Sequence, residues 1–355
     1  MTSALQPDGR AMLIGSQPLT DHDEATGLIM THVPEIPNWV QLPVFKQEGM
    51  VAQVADGLPG LVIGPERTYV DTAAADFDDA VVAFFEEYLA VVDQSREWDQ
   101  SRFVLTPDYA KGFYALLKAL PNHSGKLFAV KGQITGPITF CTGLTDQDKR
   151  AILYNDTLRD AAIKMLAMKA AWQIKQLSGF GVPVIMFIDE PALAGYGSSE
   201  LISVSQEDIT QCLDEVIDAV HQYGGLTGVH VCANTDWSLL LRPGVDIVNF
   251  DANGYFDKIA LYADTIKDYL NGGGCLAWGL VPTLQADQVA AATEENLWNL
   301  WQSQLKQLGA LGLDVDQVRR QSFITPACGT GSLTPELSGK VLMLTQALAQ
   351  RARAS

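Results

Sequence analysis

Eight short apolar runs, rich in Val, Ile and Phe, alternate along the chain with longer amphipathic segments, and this alternation constrains the fold more than any single motif. The runs are 11–16, 58–64, 126–136, 183–191, 226–233, 246–252, 275–282 and 320–329. Helical patterns lie between them at 76–94, 106–120, 148–179, 205–224 and 295–312. Strands that alternate with helices must pair in parallel, because each return crossing is spent in the helix. Eight such units are what a closed α/β barrel requires, so the expected architecture is a single (β/α)8 TIM barrel over residues 1–355. The stretch at about 65–125 is too long for one crossover, and is expected to be a helical insertion after the second strand. Ser205 before an acidic first turn, Gly224-Gly225, and Thr334-Pro335 supply local start and stop signals for helices.

Composition narrows the function. With 47% hydrophobic and 19% charged residues among 355, the chain has ample material for a core and is not disordered. Its 24 Lys+Arg against 42 Asp+Glu give a net charge of −18. No basic stripe exists to displace phosphate counterions, and an anionic membrane surface repels such a chain, so neither nucleic acid nor membrane is an expected partner. No apolar run reaches the roughly 18 residues of a membrane span, and the polar start MTSALQPDGR lacks the core of a signal peptide. A cytoplasmic protein is expected. Five widely spaced cysteines do not suggest a disulfide framework and are expected to be free thiols or metal ligands.

Barrel enzymes build their sites at the carboxyl ends of the strands. Those ends carry Ser16, Glu66 with Arg67, Gln133 with Thr135, Asp189 with Glu190, His230 with Cys232, Asp251, Pro282 and Cys328. His230 and Cys232 are two apart on a strand, so both point to one face, and barrel closure brings Cys328 to the same mouth. Two thiolates and an imidazole favour zinc, and three protein ligands leave an open position as in catalytic sites. Asp251, ending the sixth run, is the natural fourth ligand. Cys141, Cys212 and Cys275 are assigned to packing, and His22, His32, His123 and His221, in loop or helix positions, are expected to be solvated and not catalytic. Of the adjacent acids Asp189 and Glu190, only one can face the mouth, and Asp189 is the candidate. Pro191 disfavours helical geometry at Glu190. No phosphate loop or dinucleotide fingerprint is present.

The segments LIGSQP (13–18), VKGQITGPIT (130–139), FIDEPAL (187–193), HVC (230–232) and TPACG (325–329) resemble, in order, those of the cobalamin-independent methionine synthase catalytic domain, within the superfamily that includes uroporphyrinogen decarboxylase. The resemblance implies a zinc held by His230, Cys232 and Cys328, an acidic ligand at Asp251, and Ser16 with Asp189 binding the backbone groups of an amino-acid thiol. Glu66, in VIGPER (62–67), stands in for the family's glutamate after the second strand. The tryptophan that stacks on folate is absent from FCTGLT (140–145), and VPTLQ (281–285) replaces a family histidine. The chain is also too short for the duplicated two-barrel form. CANTDWSLLL (232–241) is similar to the corrinoid methyltransferase and decarboxylase branch. The implied activity is zinc-dependent methyl transfer to a thiol, homocysteine first, from a methylcorrinoid such as methylcobalamin, carried by a corrinoid protein, in preference to methyl-tetrahydrofolate. Coenzyme M would instead require a cation for its sulfonate, for which Lys131 and Arg67 are the candidates. A decarboxylase of porphyrin propionates and a non-catalytic zinc-binding scaffold are the alternatives.

Overall fold

The computed structural model describes residues 5–64, 66–196 and 204–355. Two short strands, β1 (Leu61–Ile63) and β2 (Thr68–Val70), form an antiparallel pair. Six strands, β3 (Val130–Thr135), β4 (Val184–Asp189), β5 (Leu226–Val231), β6 (Ile247–Phe250), β7 (Cys275–Val281) and β8 (Ser322–Pro326), form a parallel sheet in that order. The fold is α/β, with the parallel sheet curled like part of a TIM barrel and helices packed outside it.

Strand alternation gives the sheet two buried faces. Ile185, Phe187, Ile247, Cys275, Ala277 and Phe323 belong to one small buried cluster, whereas their chain neighbours Met186, Ile188, Val248, Leu276, Trp278 and Ile324 join the large cluster with the helices. Strands apolar on both faces in this way are buried on both faces. Helix Asp156–Leu177 buries fifteen of its residues against the sheet and its neighbours, and helix Gln206–Gln222 begins with a capping box between Ser205 and Asp208.

Two expectations need correction. The run 58–64 is not a parallel strand: its Leu61–Ile63 portion pairs antiparallel with β2, and Ile63 is 59% exposed. The position beside β3 is taken instead by the extended segment 37–41, where Asn38 bridges Lys131 and Lys131 N–H donates to Pro37 O. The run 11–16 is likewise no regular strand. It makes a parallel bridge from Ala11 to Ile324 on β8, and another from Ser16 to Gln41. Both edges of the six-stranded sheet are therefore met by extended segments that also bond each other through Gln17 N–H to Gln41 O and Gln41 N–H to Gly15 O. Among the described residues no helix is long and apolar enough to cross a membrane.

Candidate metal centre

Strand register builds the site. Thr135, Asp189, His230 and Asn249 are successive register partners across β3, β4, β5 and β6, so their side chains form one row on the inner face at the carboxyl ends. Cys232 follows His230 by two residues just past the end of β5. Cys328 lies two residues beyond β8. One ligand atom from each of His230, Cys232 and Cys328 lies within 4.8 Å of the other two. Tetrahedral zinc with bonds of about 2.0–2.3 Å places its ligand atoms roughly 3.3–3.8 Å apart, so a small side-chain adjustment completes the cage. His230 is buried, and its Nε2 has no hydrogen-bond partner. An orphaned buried nitrogen beside two half-buried sulfurs is a donor set that suits zinc.

The sulfurs are electrostatically coupled. The Cys232 thiol is drawn below its ordinary value, first by a hydrogen bond from Cys328 and then by His230. The same bond, together with burial, drives Cys328 well above its ordinary value. This favours the thiolate, which is the ligand form, at Cys232. Cys141, Cys212 and Cys275 are all buried with raised thiols, chiefly through desolvation, which disfavours the reactive thiolate.

The neighbouring acids divide their roles. Glu190 faces away from the mouth and accepts hydrogen bonds from Ile138 N–H at 2.9 Å, Thr139 N–H at 2.8 Å and the Thr139 hydroxyl at 2.6 Å, satisfying the first turn of helix Pro137–Gly143. Asp189 is buried with Oδ1 unpartnered. Burial raises its carboxyl, against the opposing charges of Lys131 and His230. Lys131 lies fully buried beneath, with Nζ donating to Ile14 O at 2.5 Å and Gln133 Oε1 at 3.1 Å, 4.6 Å over the Phe187 ring. It is thus a structural cation inside the sheet and not a surface anchor. Desolvation lowers it to about 8.

Other candidates fall into place differently. Ser16 adjoins the Cys328 loop: its carbonyl accepts from Thr330 N–H and its Oγ from Gly331 N–H at 3.3 Å. A Cβ on Gly329 would stand 2.1 Å from Ser16 Oγ, so only glycine permits this approach. Gln133 spends its amide on Trp39 O and Lys131, and Thr135 its hydroxyl on Met50 O, so the fold itself already engages both. Asp251 is buried and lies outside the three-atom cluster. Its Oδ1 accepts from Gly254 N–H at 2.8 Å, while burial raises the carboxyl. Glu66 is exposed beside the β1–β2 turn, and Arg67, also exposed, stacks on Tyr69 and donates to Gln147 O. His22 is not solvated but bonds Glu48 at 2.6 Å, and His221 bonds Asp246 at 2.8 Å.

Sequence reasoning missed Asn249. Its Oδ1 contacts His230 Nδ1, while its Nδ2 donates to Ala277 O and to Thr325 Oγ1, each at 2.9 Å. An asparagine inside an apolar strand was the one available signal, and its pairing with His230 emerges only from the strand register.

No family model matches the sequence, and no curated protein matches it. Among solved structures, the chain is similar to a B12-independent methionine synthase from Shewanella sp. W3-18-1, described in complex with selenomethionine. The match has 19% identity and a TM-score of 0.46, covering 64% of this chain and 62% of that one.

Proposed function

We propose that this chain is a zinc-dependent methyltransferase acting on a small thiol, with homocysteine as acceptor and a methylcorrinoid, borne by a corrinoid protein, as donor. The observation that carries the proposal is the convergence of His230, Cys232 and Cys328 within 4.8 Å, with His230 Nε2 orphaned between them. Zinc bound there would lower the pKa of a thiol substrate and hold its sulfur as the nucleophile, without becoming a strong Lewis acid for water, because two thiolates already offset its charge. In this proposal Asp251, on the adjacent strand end, is the exchangeable fourth ligand.

The chain's own groups then divide the substrate between them. Asp189, with its free Oδ1, accepts from the ammonium of an amino-acid thiol. Lys131 below opposes, through its field and not by contact, the burial that raises that carboxyl. Ser16, held by the Thr330–Gly331 backbone, keeps its hydroxyl proton for the substrate carboxylate. Burial of the row excludes water from the reacting sulfur.

The test is to purify the protein reduced, measure its zinc, and assay methyl transfer from methylcobalamin and from methyl-tetrahydrofolate to homocysteine and to coenzyme M. We expect about one zinc per chain and methionine formed from methylcobalamin. Zinc-free protein that cannot be loaded would overturn the metal. Activity only with methyl-tetrahydrofolate would overturn the donor.

A further inference from the structure

We infer that Asn249 is a positioning residue for the metal centre. It fixes which nitrogen of His230 faces the thiols, and it ties the strand bearing His230 to the strand that leads to Cys328. The metal role rests on the zinc proposal above, whereas the orientation rests on hydrogen-bond geometry alone.

Asn249 is fully buried on β6. A primary amide has two hydrogens to donate and one oxygen to accept with. Both donations run toward β7 and β8, to Ala277 O and Thr325 Oγ1 at 2.9 Å each. Turned over, the amide would set its oxygen against the Ala277 carbonyl oxygen and its hydrogens against the ring of His230. The oxygen therefore faces His230 Nδ1, and that nitrogen must carry a hydrogen. Nε2 is left for the sulfurs, and it is the nitrogen with no hydrogen-bond partner. The link also spans strands, since Thr325 precedes Cys328 by three residues. One side chain thus joins both ligand-bearing segments across β7, and a metal-binding histidine held in this way typically gains about 10–100-fold in affinity.

The experiment uses the full chain, wild type and with Asn249→Leu and Asn249→Asp. The imidazole protons of His230 are read by NMR in the metal-free protein, and zinc affinity is read by competition with a chromophoric chelator. We expect a hydrogen-bonded Nδ1–H on His230 in contact with Asn249. Zinc affinity should fall about 10–100-fold in the leucine variant and by less in the aspartate variant, which keeps the acceptor for Nδ1 but sets its second oxygen against Ala277 O. A His230 found unprotonated at Nδ1, or a folded leucine variant that binds zinc as tightly as wild type, overturns the inference. Should Asn249→Leu not fold, Thr325→Val reads the same link from β8: weaker zinc supports it and unchanged zinc overturns it. If the wild type takes up no zinc, the metal proposal falls, while the NMR result still decides the orientation.

Discussion

Asp189 and Glu190 are neighbours in the chain with opposite duties, and each exposes its duty through what its oxygens touch. Glu190 is wholly buried, and burial lifts it to about 7 in spite of the three hydrogen bonds it receives. A carboxyl raised on folding binds its proton more tightly in the native state, so its contribution to stability is full below about 4.5 and declines as pH climbs toward 7. Glu190→Gln should therefore flatten the fall in stability between pH 4.5 and 7 relative to wild type. Urea midpoints at a series of pH values measure it, and parallel curves for the two proteins would remove Glu190 as the source. At the mouth, Cys328→Ser should abolish zinc stoichiometry with the circular dichroism spectrum unchanged, because the half-buried loop beyond β8 bears little of the core. Retained zinc would exclude Cys328 as a ligand. Cys212→Ser, inside helix Gln206–Gln222, should keep the metal and lose stability instead.

Six of the strands were legible as apolar-rich runs because both faces of β3–β8 are buried, even where polar residues interrupt them, as in VKGQIT of β3. The run at 58–64 satisfies the same criterion without the same environment. Apolar content reports burial or pairing, and cannot tell a parallel core strand from a half-exposed hairpin. The segment 37–41 was illegible for the converse reason, being short, polar at Asn38 and Gln41, and enclosed by prolines. Its neighbour does the work of positioning it: helix Lys111–Ala119 rests on Val40, and a Cβ on Gly112 would lie 1.9 Å from Val40 O. Gly112→Ala should then destabilise by about 1–3 kcal/mol of strain, outweighing the roughly 1 kcal/mol that alanine gains in helix propensity. A higher urea midpoint for the variant would show that the helix can shift away from the segment. The candidate metal ligands were legible because they are chemically rare types at strand ends. Asn249 was not, because its meaning depends on the β5–β6 register, which no local pattern encodes.

At the scale of the whole molecule the charge of −18 acts twice. A field of that sign repels substrates bearing several carboxylates, which disfavours the decarboxylase alternative, and it leaves a zwitterionic amino-acid thiol free to approach. It also strains the fold. Acidic groups in excess repel over a Debye length of about 30 Å at 10 mM salt, and over about 3 Å at 1 M. Salt also weakens favourable pairs, such as Arg351 with Glu295 at 2.8 Å and Arg242 with Asp214 at 2.5 Å. Exposed pairs of this kind contribute at most about 1 kcal/mol each and act over one contact, whereas the unpaired excess acts across the entire surface. Repulsion should win. Raising sodium chloride from 10 mM to 0.5 M is therefore expected to increase the melting temperature by a few degrees, with most of the gain below 0.2 M where screening changes fastest. Sodium chloride is the salt to use, because sulfate would add its own strengthening of apolar burial. A melting temperature that falls with added chloride would mean that the local ion pairs dominate, and that the acidic surface is spread widely enough to cost the fold little.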